Sequence, residues 1–401
     1  MSVVPTLRGM AWDHPRARNP LEAISADWSR ERGIRVQWDA RPLKDFEDQP
    51  LEELATVYDL VLMDYPFVGF AASSGLIAPV NDWVDAAYLA DQAAHSVGPS
   101  YASYTWRGKQ WALAIDAACQ VSTLREDLWA AAQLGSLPDT WRDVAALAES
   151  RRAAPSQVAI ALNPNHAYCA FVSVGVGIAG AGFWPMGEHV NAAAGRESLE
   201  FLKSLATHVH AASRAADPIA ISDRMSCTDE ILHVPLMFGY SSYARHGFRP
   251  HTLRFRDAPR GASGVRGSVL GGVGLALSAR SRNRELAAEL ARLIAASDVQ
   301  SGLYASCGGQ PGHAAAWDSP DINASTHDFF ASTRRTMEHA FVRPRVSGHR
   351  RFQQLAGALL HEFIWTDRLT TEACLRGYAR LVDSLLADWG RERASTHGRP
   401  N

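Results

Sequence analysis

A β-α-β pattern in residues 6–38 constrains the fold of this chain more than any other feature. TLRGMAW can form a strand, and a helix is predicted to follow with Asn19 as N-cap, Pro20 at its first position and Glu22 completing a capping box. That helix should end at Gly33, because glycine readily adopts the left-handed conformation after the last turn. IRVQW then alternates apolar and polar residues, as in a strand with one solvated face. The pattern predicts an α/β fold.

Polar side chains follow two of the predicted strands. YDLVLMDY, residues 58–65, is apolar enough to be a central strand of a parallel sheet, and it ends at Asp64 and Tyr65. The segment after the first strand adds four candidate ligand contacts: Trp12, Asp13, His14 and Arg16. Ligands of open parallel sheets bind beyond the carboxyl ends of the strands, so we expect both segments to face one crevice.

The loop after the first strand combines three kinds of polar chemistry. The carboxylate of Asp13 can accept sugar hydroxyls, His14 can donate a hydrogen bond or transfer a proton, and Arg16 can clamp an anion. The alternative is a surface loop in which Asp13 and Arg16 pair with each other. The position at a strand end favours ligand binding.

Asp116 ends a second apolar segment. YTW and QWALAI flank residues 107–109 as a predicted hairpin, and the following strand runs on past Asp116. Asp64 and Asp116 could bind hydroxyls, or act as an acid-base pair with separated pKa values. Either could instead be a helix cap, and we favour binding.

The remainder of the chain is predicted to be largely helical. One helix should begin at Thr140, with Asp143 completing a capping box, and further helical stretches are expected at 197–205, 229–245, 350–366 and 370–389. Residues 270–300 predict a glycine-rich strand, a turn and an amphipathic helix. The uncharged residues 168–187 are long enough to cross a bilayer. They are rich in Gly and Ala and break at Trp184-Pro185, so we expect a buried helix and no transmembrane segment.

Composition and motifs exclude several classes. Lys plus Arg (40) nearly balances Asp plus Glu (42), which does not indicate a nucleic-acid partner. GVGIAG meets Pro185 too soon for a dinucleotide-binding helix, and CGGQPGH lacks the Lys-Ser/Thr of a P-loop. No HExxH occurs, and His208-x-His210 has no carboxylate partner in sequence. We therefore expect no cofactor and no tightly bound metal.

The cysteines and the first residues indicate the cellular compartment in which the protein is expected. The five cysteines are widely spaced without a C-x-x-C pair, which favours thiols in a reducing environment. The first residues contain no basic n-region followed by an apolar run. As written, the chain is expected to be cytoplasmic; a precursor with an export signal would be periplasmic.

Four segments carry a family resemblance. In chain order they are WRGKQWALAID, LPDTWRDVAALA, LGGVGLALSARSRNRELAAELARLIAASDVQ and CGGQPG. In order and spacing the chain, from about residue 6 to 390, resembles the maltose-binding-protein-like solute-binding proteins of bacterial ABC importers. The resemblance implies a periplasmic-binding-protein-like α/β fold with two lobes, a hinge and a ligand cleft between the lobes. The first lobe would comprise 1–116 and 266–315, and the second 117–265 and 316–401.

The resemblance implies a small polar ligand, either a sugar or a sugar acid, enclosed by a monomer. An ABC permease would be a partner if the protein is exported. Further candidate contacts near the expected cleft are Cys119, Gln120, Trp184, Tyr240, Tyr243, Gly309, Gln310 and Arg343. Trp106 and Arg345 are further candidates, although most tryptophans lie in cores and Arg343 and Arg345 could equally be exposed.

Two other functions remain open at this stage. The first is a cytoplasmic enzyme on the same fold, since thiaminase I resembles these receptors and uses a cysteine nucleophile in the cleft. Its catalytic groups would come from His14, Asp64, Asp116 and Cys119, although a thiol is more often a small buried apolar group. The second is an intracellular sensor that closes on a metabolite and docks to a partner.

Overall fold

The structure is a computed structural model that describes residues 5–42, 51–153, 157–264 and 266–397. The chain divides into two compact units. Unit one comprises residues 1–118 and 271–326, and unit two comprises residues 119–270 and 327–401. The chain therefore passes between the units three times, after Ala118, Leu270 and Thr326. Residues 117–118 and 316–326 belong to unit one and residues 266–270 to unit two, which differs from the lobe boundaries expected from the sequence.

The strands of the described residues follow in chain order. They are β1 (Thr6–Trp12), β2 (Arg35–Arg41), β3 (Leu60–Asp64), β4 (Ile77–Ala78), β5 (Thr105–Trp106), β6 (Lys109–Gln110), β7 (Leu113–Ala114), β8 (Ala118–Leu124), β9 (His233–Phe238), β10 (Arg254–Arg256), β11 (Leu270–Gly271) and β12 (Val273–Ser278).

The α-helices are numbered in the same way. They are α1 (Pro15–Arg32), α2 (Leu51–Val57), α3 (Val68–Ser74), α4 (Ala86–His95), α5 (Ser100–Ser103), α6 (Glu126–Ala131), α7 (Trp141–Ser150), α8 (Pro164–Ala179), α9 (Ala192–Ala206), α10 (Pro218–Cys227), α11 (Arg284–Ala295), α12 (Ser297–Val299), α13 (Ala314–Asp318), α14 (Pro320–Ser325), α15 (Phe329–Glu338), α16 (His349–Trp365) and α17 (Thr371–His397).

Unit one is built on a six-stranded sheet with the order β2-β1-β3-β12-β4, in which β7 also pairs with β12. β1 is parallel to β2 and β3, so the predicted β-α-β unit is confirmed. β3 is central and buried over residues 60–63, as its apolar sequence predicts. The sheet is nevertheless mixed, because β12 pairs antiparallel with β3, β4 and β7.

Helix α1 begins earlier than the sequence predicts. It starts at Pro15, and the N-cap is His14, whose Nδ1 accepts a hydrogen bond from the Arg16 backbone N–H at 3.1 Å. The expected N-cap, Asn19, therefore lies inside the helix, and so does Pro20. The predicted end is confirmed, since Gly33 has the left-handed φ of 63° and closes the last turn.

The predicted hairpin of β5 and β6 is confirmed. Its two loop residues, Arg107 and Gly108, have φ values of 52° and 74°. Two left-handed residues in a two-residue loop match the twist of the flanking strands, which is why such loops favour glycine.

Unit two contains a four-stranded sheet in which β8 lies between β10 and β11 and also pairs with β9. Every residue of β8 is buried. The predicted helix over 229–245 is wrong, because His233–Phe238 forms the buried strand β9 and Ser241–Ala244 forms a 3-10 turn. The backbone groups of the short apolar run HVPLMF form hydrogen bonds by antiparallel pairing with β8, and not within a helix.

Helix α8 confirms the buried helix expected within 168–187. By length and composition its segment could cross a membrane, but 72% of the most apolar window is buried inside the structure. The GVGIAG run lies mainly in this helix and packs closely there: a Cβ on Gly175 would lie 2.1 Å from the Phe183 ring. Glycine at this position therefore allows helix and ring to touch.

The other predicted helices are also present. Thr140 and Asp143 form the expected capping box of α7. The 197–205 stretch lies in α9, and the two last predicted helices correspond to α16 and α17. The strand, turn and helix predicted in 270–300 correspond to β12 and α11.

Candidate functional site

One edge of the unit-one sheet gathers most of the polar residues predicted in that unit. β1 and β3 are parallel neighbours, so the segments after Trp12 and Asp64 leave the sheet at the same edge. Because β12 is antiparallel to β3, its first residue, Val273, lies opposite Asp64 at this edge. Asp116 exchanges backbone hydrogen bonds with Val273 at 3.1 and 3.2 Å. We call this edge the unit-one edge.

A buried ion pair lies at the unit-one edge. Arg16 Nε donates to Asp116 Oδ2 at 2.8 Å and Arg16 Nη2 donates to Asp116 Oδ1 at 2.5 Å, with the two residues 3% and 2% exposed. The alternative in which Arg16 pairs with Asp13 is therefore wrong, and so is the alternative in which Asp116 caps a helix. Burial raises the pKa of the Asp116 carboxyl, while the charge and hydrogen bonds of Arg16 oppose this. The two parallel hydrogen bonds give the guanidinium and the carboxylate a partner of opposite charge.

The other residues of the first loop differ in exposure. Asp13 is exposed and pairs with Arg18 at 3.1 Å. His14 is 5% exposed, and its Nδ1 is committed to capping α1, so a neutral ring carries its proton on Nε2. Trp12 is buried, and its ring lies 6.0 Å from the guanidinium carbon of Arg16.

Asp64 is half-buried and precedes the 3-10 turn Tyr65–Phe67 without a capping hydrogen bond from its side chain. Asp64 therefore occupies the N-cap position of this turn, but its carboxylate does not cap it. The buried ring of Tyr65 meets that of Tyr104 edge-on at 6.5 Å, and the Tyr104 hydroxyl donates to the Met63 carbonyl at 3.0 Å. Burial, together with the charges of Asp64 and Asp116, raises the pKa of Tyr104 well above its usual value. Tyr104 is thus a neutral hydroxyl next to two carboxylates.

The predicted segment around Gly309 and Gln310 also lies in unit one. The Gln310 side chain donates to the Ala117 carbonyl at 2.8 Å, and the Ala117 N–H donates to the Gln310 carbonyl at 3.0 Å. A Cβ on Gly309 would lie 2.3 Å from the Tyr304 ring, so only glycine fits there without movement. Burial and the Asp116 charge raise the pKa of Tyr304 well above its usual value. The segment is therefore packed against the neighbourhood of Asp116.

Unit two contains a partly buried polar network around Arg343, which is itself 7% exposed. Arg343 Nη1 donates to Gln353 Oε1 at 2.8 Å, and Gln353 Nε2 donates to Asn165 Oδ1 at 2.5 Å. His349 Nε2 lies 3.3 Å from the same Gln353 oxygen. Asn165 is in the first turn of α8, whereas His349 and Gln353 are in the first turns of α16. We call these four residues the unit-two network.

Two histidines at the unit-two network are held neutral. Burial, followed by the charge of Arg343, lowers the pKa of His166 to about 3. The same two causes, in the same order, lower the pKa of His349 to about 3, although its hydrogen bond with Gln353 opposes them. Both rings therefore act as neutral polar groups at physiological pH.

Gln120 and Cys119 are adjacent on β8, where both are buried. Gln120 Oε1 accepts a hydrogen bond from the Ser173 hydroxyl at 2.6 Å, and its Nε2 has no partner among the described residues. Burial, with a smaller effect of the Asp257 charge, raises the pKa of the Cys119 thiol. A nucleophilic cysteine needs a lowered pKa, so this environment opposes the nucleophile hypothesis. All five cysteines are thiols.

The aromatic contacts predicted in unit two are all buried residues. Trp184 is 4% exposed, donates from Nε1 to the Glu188 carbonyl at 3.0 Å, and packs against Phe352. It is a core residue of unit two, as the alternative for tryptophans predicts, and so is unsuited to stacking on a ligand. Tyr240 and Tyr243 are also buried and lie 6.5 Å apart, edge to face, and the Tyr243 hydroxyl donates to Asp223 at 2.8 Å.

The remaining candidates, Trp106 and Arg345, lie one in each unit. Trp106 is buried in the β5-β6 hairpin of unit one, and its carbonyl accepts a hydrogen bond from the Trp111 indole at 3.0 Å. Arg345 is half-buried in the segment between α15 and α16. Neither position by itself indicates a ligand contact.

Sequence reasoning missed the residues that surround Arg343. Asn165 and His166 follow the N-cap Asn163 and Pro164, so polar side chains open a helix that is otherwise apolar. That contrast was a usable signal, because a buried apolar helix has little reason to begin with an amide and an imidazole. Gln353 and His349 gave no such signal, since polar residues are ordinary in an amphipathic helix like α16.

Comparison with known proteins identifies the fold. No protein-family model matches the chain, and no curated protein matches it in sequence. Solved structures do match. The maltose-bound MalE3 of T. maritima has a TM-score of 0.82 at 16% identity, covering 95% of this chain and 100% of that one.

Two further structures give similar values. An ABC-transporter solute-binding protein from Agrobacterium radiobacter in complex with ribitol has a TM-score of 0.80 at 17% identity, covering 95% of this chain and 98% of that one. A solute-binding protein from Thermotoga lettingae bound with α-D-tagatose has a TM-score of 0.83 at 16% identity, covering 95% and 100%. The chain therefore has the α/β fold of the solute-binding proteins of ABC transporters, which confirms the fold expected from the sequence resemblance.

Proposed function

We propose that this protein is a solute-binding protein that encloses a small polar ligand between its two units. A sugar, a polyol or a sugar acid is the class of ligand that fits best. The observation that carries the proposal is the fold match over 95% of the chain to structures holding maltose, ribitol and α-D-tagatose. All three ligands carry several hydroxyl groups, and none of them has a net charge.

The unit-one edge supplies chemistry suited to hydroxyl groups. Asp13 and Asp64 carry carboxylate oxygens, which accept hydrogen bonds from sugar hydroxyls. His14 offers an N–H donor from Nε2. Arg16 and Asp116 compensate each other's charge, so we assign them to supporting this edge and not to clamping an anion.

The unit-two network supplies a guanidinium and amide groups, in contrast to the carboxylates of the unit-one edge. Arg343 and the amides of Asn165 and Gln353 are hydrogen-bonded to one another and are thereby held in place. Pre-oriented polar groups lose little freedom when a ligand binds. Gln120, Tyr240 and Gln310 complete the proposed contacts. Trp184 is left out because its indole N–H is donated to the Glu188 carbonyl and its ring packs against Phe352, and Cys119 is left out because a thiol is only a weak hydrogen-bonding group.

The partner that follows from this proposal is the permease of an ABC importer, to which a ligand-loaded monomer would deliver its solute. Such a receptor works outside the cytoplasmic membrane, which favours the periplasmic alternative for the compartment. The enzyme alternative has less support, because the raised pKa of the Cys119 thiol opposes a thiolate and because Asp116 is paired with Arg16.

Calorimetry and thermal unfolding test the proposal directly. The full chain is titrated with maltose, ribitol, D-tagatose, D-mannitol and a sugar acid. We expect saturable binding of at least one of these at a stoichiometry of one. Thermal stability should rise with it, by about 2.7 kcal/mol when the ligand is at one hundred times its Kd.

Variants locate the site. Asp64→Ala and Asn165→Ala should each abolish or strongly reduce the stabilisation by ligand, because one removes an acceptor from unit one and the other an amide from unit two. Asp27→Ala is the matched control, since Asp27 is an exposed carboxylate on α1 that pairs with Arg30 and should leave binding unchanged. The proposal fails if none of these solutes binds the folded protein, or if both site variants bind like the control.

A further inference from the structure

We propose that Asp91, His95 and His313 form a binding site for a divalent transition-metal ion such as Zn²⁺ on unit one. Each residue offers one ligand atom, and these atoms all lie within 4.8 Å of one another. Two imidazoles and a carboxylate form a ligand set that suits Zn²⁺. The proposal departs from the expectation of no tightly bound metal, because His313 is remote from the other two residues in sequence.

Helix α4 presents two of the three ligands. Asp91 and His95 are one helical turn apart, and His95 Nδ1 lies 2.9 Å from Asp91 Oδ1. Both side chains are more than half exposed, at 54% and 56%. They can therefore shift by the ångström or so needed for a metal–ligand distance of about 2.0–2.2 Å.

His313 provides the fixed side of the site. It is 6% exposed, its ring stacks on that of His95 with the centroids 5.5 Å apart, and its backbone pairs with Ser96 just after α4. Its Nδ1 accepts the Ala315 N–H at 3.3 Å as the N-cap of α13. Its Nε2 is buried and has no hydrogen-bond partner among the described residues. A buried nitrogen without a partner beside a second imidazole and a carboxylate is the observation that points to a cation.

Metal binding would change the cap of α13. If Nε2 binds the metal, the proton of the neutral imidazole moves to Nδ1, which can then no longer accept the Ala315 N–H. Losing a cap of this kind costs about 1 kcal/mol, which a metal bond to a histidine outweighs. The Ala315 amide is therefore a specific reporter of coordination at His313.

The site would also tie α4 to a segment of the proposed solute site. His313 lies three residues after Gln310, and Gly312 accepts and donates backbone hydrogen bonds with Val97 and Ile115. A metal held by α4 and His313 would restrict this segment. We therefore expect the metal to stabilise unit one.

The test uses the full chain, with any affinity tag removed and metals stripped by a chelator. Zn²⁺ is titrated in competition with a chromogenic chelator, and the ¹⁵N-labelled Ala315 amide is followed by NMR. We expect one tight equivalent of Zn²⁺, a shifted Ala315 resonance and a raised Tm. Even changes outside the ligand shell weaken metal sites by about tenfold or more, so His95→Ala and Asp91→Asn should weaken this site at least that much.

His189→Ala is the control, because His189 is an exposed histidine that pairs with Asp383 at 3.1 Å in unit two and should not affect the tight equivalent. His95→Ala and Asp91→Asn alter exposed side chains, so both proteins should fold, and circular dichroism checks this. The proposal is overturned if the double variant His95→Ala/Asp91→Asn binds Zn²⁺ as tightly as the wild type. It is equally overturned if the wild type binds no tight equivalent, or binds Zn²⁺ without moving the Ala315 resonance.

Discussion

Unit one and unit two each bury an arginine, and they do so in different ways. At the unit-one edge, Arg16 forms two hydrogen bonds with a single carboxylate, Asp116, and both residues are nearly inaccessible. In the unit-two network, Arg343 donates to the amide oxygen of Gln353. Two histidines there are held neutral by burial and by the nearby guanidinium.

This difference shows which groups each unit can offer to a ligand. A matched ion pair satisfies its own charges, so removal of either partner leaves a buried charge behind. A network of amides and neutral imidazoles is held together by dipoles, and its stability falls at low pH because the unfolded chain takes up protons that the folded chain does not. The unit-one edge and the unit-two network should therefore respond to different perturbations.

The largest effect is expected at the ion pair. Arg16→Met leaves the Asp116 carboxylate buried without its cation, and we expect the free energy of unfolding to fall by about 3–5 kcal/mol. Replacing both residues, as in Arg16→Met/Asp116→Leu, should cost clearly less than the sum of the single changes, because no charge is left behind. Urea unfolding of the two single variants and the double variant measures this.

If Arg16→Met and Asp116→Leu instead prove additive, the two groups do not depend on each other as their geometry indicates. A ligand role for Asp116 would then become more attractive, since its carboxylate would not be needed by Arg16.

A smaller effect, in unit two, is expected from pH. Below pH 6.5 the unfolded chain takes up a proton at His349, whereas the folded chain does not do so until pH approaches 3. The unfolded state thus binds more protons in this window, so stability must fall as the pH falls. Between about pH 7 and pH 5 the loss should be about 2 kcal/mol for each such histidine.

His349→Gln should remove that share of the pH dependence, measured as the change in urea midpoint between the two pH values. His189→Gln is the comparison, because it makes the same change of residue type at an exposed position of unit two. A His349→Gln protein whose pH dependence equals that of the wild type would show that folding does not lower the pKa of His349.

The smallest effect is expected from the exposed pair beside the buried one. Asp13 and Arg18 lie 3.1 Å apart with about half of each side chain accessible. Water and salt screen such a pair, so Arg18→Ala should change the free energy of unfolding by less than about 1 kcal/mol. The same urea titration measures it, and a loss comparable to that of Arg16→Met would mean that exposure does not separate the two pairs.

Local chemistry made part of this structure predictable. The capping box at Thr140, the glycine end of α1 and the β5-β6 hairpin all depend on residues close in sequence, and all three are present. The start of α1 was mispredicted because a histidine, a less common N-cap than asparagine, took the role at His14.

Long-range contacts were not predictable in the same way. Arg16 and Asp116 are one hundred residues apart, and no spacing rule pairs them. The antiparallel placement of β12 between β3 and β4 is likewise decided by the path of the chain and not by the composition of the strand. Residues at the strand ends were nonetheless correctly placed together, because the carboxyl ends of parallel neighbours must share an edge.

The position of β12 also has a consequence for synthesis on the ribosome. Unit one is interrupted by residues 119–270, so β3 is made long before the strand that covers its second edge. Until β12 emerges, the nascent chain presents an apolar strand with unpaired backbone groups, which is a template for wrong pairing. Unit one must therefore complete its sheet late in translation, and a chaperone that shields β3 would be expected to raise the yield of native protein.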